Sequence, residues 1–118
     1  MANFVLSLHA SPSDTDACLS LFNFAKATLC AGHTIDAIFL YQEAIWHASE
    51  HFMIAKDEVQ LNEQWQSFVD DSNTPLLLCI TAAEKRGLDI KNTGAFTVAG
   101  LAEFAMAVAK TDKWIQFK

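Results

Sequence analysis

Two stretches of this 118-residue chain put reactive residue types where chemistry could follow. The first is PLLLCITAAEKRGL, residues 75–88, in which three leucines lead into Cys79 and a helix is expected to begin two residues later. A thiolate held at such a junction is a nucleophile able to exchange sulfur. The second is His47-Ala48-Ser49-Glu50-His51, which matches H-x-x-E-H, the inverted zinc-protease pattern. Histidines four apart share a helix face and can hold one zinc, with the glutamate as base. Five-residue patterns with two free positions arise by chance, and no third ligand stands out. Zinc hydrolysis through His47, Glu50 and His51 is therefore the weaker reading, and no metal or organic cofactor is expected.

The case for Cys79 turns on magnitudes. A cysteine of ordinary pKa is about 3% ionised at pH 7, and bringing the pKa to about 7 needs roughly 2 kcal/mol. A helix N-terminus commonly supplies about 0.3–1 kcal/mol of that, so a further polar neighbour is needed, and burial works against ionisation. Local sequence alone favours an inert thiol, because free cysteine is among the most buried residue types and an apolar strand is where one would sit. Cys18 falls on the apolar stripe of its helix and reads as core. Cys30 lies off that stripe, with nothing activating near it. The two would stand about 18 Å apart along one helix, too far for a disulfide. With no CxxC pair, the three cysteines fit a reducing compartment.

The elements that must position these residues alternate in type. NFVLSLH, residues 3–9, reads as a strand. Ser11 as N-cap with Pro12 at the first helical position opens a helix carrying Cys18, Leu21, Phe22, Ala25 and Leu29 at helical spacing, and Gly32 ends it. A second, mostly apolar strand spans residues 34–41. Residues 42–73 read as an interrupted helix, one piece at 43–51 and another at 58–69 with Leu61, Trp65, Phe68 and Val69 inward. The third strand is LLLCI, followed by a Thr81–Glu84 capping box and a short helix that Gly87 ends. A connection DIKNTG, a helix over residues 99–109 and a closing strand KWIQF complete the chain, with a fifth strand near 95–98 as an option. The expected fold is an α/β single domain over residues 1–118, a mostly parallel four- to five-stranded sheet with helices on both faces. Sites in such sheets form beyond the carboxyl ends of the strands, near Cys79. His9, Tyr41 and Glu43 end or follow neighbouring strands, so they are the candidates to support it. The relay reading requires the Cys79 sulfur to reach solvent at this rim in ionisable form, and it fails for a sulfur sealed inside that points away from any cleft and from the helix amides.

Eight Lys and Arg against fourteen Asp and Glu give a net charge of −6 with no basic cluster, which argues against direct grip on a nucleic-acid backbone. No apolar run approaches the ~20 residues of a membrane span, and MANFVLSLHASPSD lacks a signal-peptide pattern. A cytoplasmic protein is expected. Nucleotide binding finds no support, for HASPSD has no glycine and neither GxGxxG nor a P-loop occurs.

Four blocks in order over nearly the whole chain then point to a family. IFLYQEAIWHAS, DEVQLNEQW, LLLCITAAEKRG and AFTVAGLAEF with the final WIQF together resemble the DsrE-type sulfur-relay family, most of all its TusD-type members. The resemblance implies a persulfide on Cys79, accepted from a TusA-like donor and passed to a TusE-like acceptor. It further implies assembly with TusB-like and TusC-like sister subunits as a hetero-oligomer. The sulfur would end in 2-thiouridine at a tRNA wobble position or, in Dsr-type systems, serve sulfur oxidation. A non-catalytic sister subunit of the same fold is the alternative, and FMIAKD and Trp114 are candidate contact surfaces. Two departures bear on the site. Ala44 stands where the family commonly has glycine, and the 88–95 segment is shorter than usual. Either FMIAKD or DIKNTG is a candidate cover for the carried sulfur.

Overall fold

Apolar runs of three to seven residues become five strands because each is bounded by turn or cap residues and too short for a stable helix. The computed structural model describes residues 1–49 and 61–118. The strands are β1 (Asn3–Leu8), β2 (Thr34–Leu40), β3 (Leu76–Cys79), β4 (Thr97–Ala99) and β5 (Lys113–Phe117). All pairings are parallel, in the order β4-β3-β2-β1-β5. The helices are α1 (Thr15–Cys30), α2 (Leu61–Ser72), α3 (Ile80–Arg86) and α4 (Leu101–Lys110), with a 3₁₀ turn over Gln42–Ala48 after β2. Among the described residues no helix is long and apolar enough to cross a membrane.

The strand order dictates the layers. From β1 to β4 the chain steps steadily one way, and right-handed crossovers put the connecting helices on one face. The last connection jumps back from β4 to lie beside β1, so α4 must take the opposite face. The packing agrees. On one side Phe24 of α1 meets Phe4 and Phe117, and Phe22 packs 4.6 Å from Trp65 of α2. On the other, Phe104 of α4 stacks on Phe39 at 4.4 Å and meets Trp114 edge-on. Leu61, Trp65 and Phe68 are buried as their spacing predicts, and Val69 is half-buried.

Several boundaries move from their expected places. The N-cap of α1 is Asp14, whose carboxylate accepts from the Ala17 amide. Ser11 instead starts a turn, its carbonyl accepting from the Asp14 amide. The expected helix over 43–51 is a 3₁₀ turn ending at Ala48, while Glu50, His51 and FMIAKD lie outside the described residues. The fifth strand exists, at Thr97–Ala99, which delays α4 to Leu101. Most consequential, the Thr81–Glu84 capping box does not form. β3 passes into α3 with no loop, and Cys79 itself is the N-cap.

Gly87 ends α3 as expected, at φ 76°, with the Leu88 amide donating back to the Ala83 carbonyl at 3.0 Å. A Cβ there would meet nothing within 4 Å, so Gly87→Ala tests backbone conformation alone. It should lower stability by about 1 kcal/mol and the melting temperature by roughly 4 °C, readable by thermal circular dichroism. An unchanged melting temperature would contradict the left-handed cap.

Candidate functional site

The carboxyl rim of the sheet gathers the candidate residues through register alone. Leu8 pairs with Leu40, and Leu40 with Leu78. The residues that follow, His9, Tyr41 and Cys79, therefore stand level across three adjacent strands. Cys79 in turn pairs with Ala99 of β4. The connections leaving β3 and β4 go to opposite faces, which makes the rim between them the switch point where open parallel sheets form their sites. Alternation along β3 puts Leu77 and Cys79 on the face shared by Phe39 and Tyr41, the face α4 covers.

Cys79 is a free thiol with 0% exposure. The expectation that its sulfur reaches solvent is not met, because a residue that is at once last in a central strand and first before a helix is hemmed by both. Its side chain makes no capping hydrogen bond. Among the described residues, neither His9 nor Tyr41 hydrogen-bonds the sulfur.

Those two residues instead form a unit of their own. The His9 ring meets Tyr41 edge-on at 5.5 Å, and Tyr41 lies flat against Phe39 at 6.3 Å. His9 Nδ1 is 3.1 Å from Gln42 Oε1. Gln42 has φ 54°, in the left-handed region that non-glycine residues rarely occupy. Tyr41 also walls two small cavities. One, about 230 Å³, is shared with His9, Ser7, Phe104 and Trp114. The other, about 240 Å³, is shared with Gln42, Thr81, Lys85 and Arg86 and lies against the first turn of α3.

Glu43 braces this region. Its carboxylate accepts from Arg86 Nε at 2.8 Å and from Trp46 Nε1 at 3.2 Å, tying the turn after β2 to the helix after Cys79. The Arg86 hydrogen bond holds the Glu43 carboxyl below its ordinary pKa; desolvation opposes it, and the Arg86 charge and the Trp46 hydrogen bond add smaller downward contributions. Arg86 also donates from Nη1 to the Ala82 carbonyl. Arg86 lies in the last turn of α3, where a cation suits the helix dipole. Its pairing with Glu43 spans forty-three positions and leaves no local signal.

His47 has a role that its H-x-x-E-H context does not suggest. It is buried, its Nδ1 accepting from Trp65 Nε1 at 3.0 Å. That fixes the proton on Nε2, which lies 3.3 Å from the Ala10 carbonyl and 3.4 Å from Cys18 Sγ. Both ring nitrogens are thus engaged. Among the described residues no group of three or more His, Cys, Asp or Glu is arranged to hold a metal. Burial, with Asp14 adding, pushes the Cys18 thiol up to about 12, so it stays protonated and inert as expected. Cys30 is exposed. The DIKNTG segment is held by the Lys91 amide donating to Asp89 and by Thr93 Oγ1 donating to the Phe96 carbonyl. Its Asn92, Thr93 and Gly94 wall a cavity with His47 and Trp65, not with the residues flanking Cys79.

Comparison with known proteins bears on this arrangement. Residues 2–117 match the model of the DsrE/DsrF-like family. The sulfurtransferase TusD of Pectobacterium atrosepticum is 30% identical over 129 aligned positions, covering 99% of this chain and all of that protein. The TusD homologue of Pasteurella multocida is 34% identical over 78% of this chain and 81% of its own length. Among solved structures, the ychN protein of E. coli superposes with a TM-score of 0.81 at 20% identity, covering 99% of this chain and 100% of that one. That last likeness shows the fold.

The His47 network generates a pH prediction. Burial lowers the His47 pKa from 6.5 to about 4, opposed by its hydrogen bond to Ala10. The unfolded chain thus takes up this proton before the folded one does. The associated stability is present above pH 6.5 and is lost as pH falls toward 4, on the order of 3 kcal/mol in all. Denaturant titrations monitored by tryptophan fluorescence should show this loss, and His47→Gln should flatten the His47 share of it. Parallel curves for the two proteins would refute the assignment.

Proposed function

The chain belongs to the DsrE/DsrF-like family, and on that premise we propose that it is a sulfurtransferase of a sulfur relay, carrying sulfane sulfur as a persulfide on Cys79. The carrying observation is that Cys79, the residue the family resemblance singles out, ends a central parallel strand at the switch point of the sheet and caps the following helix. The Cys79 thiolate attacks the outer sulfur of a donor persulfide, the donor's S–S bond breaks, and the donor departs as a thiolate. Passing the sulfur on repeats the exchange in the other direction. No metal or organic cofactor takes part. Burial shields the carried sulfur from water and oxidants, and the packing over Cys79 must open for each exchange. The donor in this reading is a TusA-like protein and the acceptor a TusE-like one. The cytoplasmic destination is 2-thiouridine at a tRNA wobble position, and sulfur oxidation is the destination if the partners are of the Dsr type.

The relay complex would include TusB-like and TusC-like sister subunits, and α4 is the surface that supports this. None of its residues is buried, although LAEFAMAVAK is largely apolar, and Leu101, Met106 and the neighbouring Trp114 of β5 are 46%, 59% and 42% exposed. Among the described residues α4 is the layer over this sheet face, and an apolar helix left uncovered there is typical of an interface. A second reading, a non-catalytic sister subunit, draws its support from the full burial of Cys79.

Intact mass after incubation with a persulfidated TusA-like donor separates the two. The relay reading expects one added sulfur, removable by reductant, absent in Cys79→Ser and retained in Cys30→Ser. Persulfidation of Cys30 alone, with or without sister subunits, would favour the scaffold reading. For the surface, Met106→Glu should leave the monomer folded but weaken sister-subunit association at least about tenfold in sedimentation equilibrium, as burying a lone charge requires. Unchanged association would move the interface elsewhere.

A further inference from the structure

We propose that His9 is the base that takes the proton from the acceptor's thiol, and that this thiol enters through the cavity walled by His9, Tyr41, Phe104 and Trp114. The inference rests on the reading of Cys79 as the sulfur carrier. Three observations converge on it. Gln42 Oε1 is a carbonyl oxygen and can only accept, so His9 Nδ1 carries the hydrogen and Nε2 presents a lone pair. That Nε2 is buried and has no partner among the described residues. A buried acceptor left open is costly, and such groups call for a ligand or a chemical role. Gln42 holds the ring in this tautomer from a backbone conformation at φ 54° that is itself unfavourable. Strain of this kind persists where a site needs it.

The cavity fits the task. Its volume of about 230 Å³ admits a thiol-bearing side chain, and its walls are aromatic and aliphatic apart from His9, Ser7, Gln116 and the Tyr41 hydroxyl. It opens beside the rim row in which Tyr41 alone separates His9 from Cys79. Of the groups facing His9, α4 supplies Leu101 and Phe104, β5 supplies Trp114 and Gln116, and the turn after β2 supplies Gln42. Tyr41 is the one other titratable side chain among them.

The step balances without a co-reactant. His9 Nε2 takes the proton of the acceptor R–SH, and the resulting thiolate attacks the outer sulfur of Cys79–S–SH. The S–S bond breaks with its electron pair on Cys79 Sγ, which takes a proton from water while the imidazolium returns one to water. The products are R–S–SH and the Cys79 thiol, with His9 restored. A thiol of ordinary pKa is about 3% ionised at pH 7, so a base in this position can gain at most about 30-fold.

The test uses the full chain with Cys30→Ser, loaded on Cys79 with inorganic polysulfide and discharged by 2-mercaptoethanol, with sulfur loss followed by intact mass from pH 5 to 9. The parent should discharge faster at pH 7 than the acceptor's own ionisation sets. His9→Gln should load normally, discharge about 10- to 30-fold more slowly at pH 7, and follow the acceptor's thiolate fraction alone across the pH range. Gln42→Gly, which keeps His9 but frees its tautomer, should show a smaller loss. A parent that follows the acceptor's thiolate fraction alone, or normal discharge by His9→Gln, would overturn the role of His9 while leaving Cys79 as carrier. Failure of the parent to load on Cys79 would overturn both.

Discussion

The direct passage of β3 into α3 at Cys79 is the constraint on which the rest depends. One residue ends a ladder pairing with Ala99 and begins a helix whose first residue is Ile80. Its backbone cannot shift without losing strand pairing on one side or helix geometry on the other. The sulfur is therefore held in a fixed place at the rim. The same double duty draws it inside the packing and accounts for its complete burial. A fixed thiol and a sealed one are two consequences of one backbone arrangement.

The two faces of the sheet are built unequally, and the inequality follows from topology. Three consecutive crossovers in one direction stack their helices on one face, with Trp65 of α2 in ring contact with both Phe22 and Phe96. A single reversed crossover leaves α4, among the described residues, as the layer on the other side. Phe104 stacks on Phe39, but a lone helix cannot cover five strands, and its outer residues stay exposed. The face with least cover is the one toward which alternation directs Tyr41 and Cys79.

Polar groups below the rim differ in whether their hydrogen bonds are complete. His47 is complete: Trp65 donates to one nitrogen, and the other faces Ala10 and Cys18. It joins the turn after β2 to α1 and α2 and is kept neutral by burial. Glu43 is likewise spent on Arg86 and Trp46. His9 keeps one nitrogen open. The histidine that matches a catalytic pattern in the sequence is thus structural, and the one with spare bonding capacity matches no pattern.

How much the sequence determined follows from the range of each interaction. Strand and helix identities, Gly87 as the end of α3, the inert Cys18 and Cys79 at a strand end are set by neighbours within a few positions, so periodicity and cap chemistry expose them. Four family blocks carried by local strings added the fold and the sulfur chemistry. Where two local signals competed, tertiary structure chose between them. Ser11 and Asp14 both offer caps, and Asp14 won because the Ser11 carbonyl closes the preceding turn. Thr81 offered a capping box, yet pairing with β4 kept the chain extended through Cys79 and the helix followed at once. Only the folded chain could bring Glu43 to Arg86, give His47 its aromatic partner, set Gln42 at positive φ against His9, and close the packing over Cys79. Each joins residues that sequence holds far apart or depends on a backbone angle that residue type does not dictate. Spacing along a chain carries no information about either.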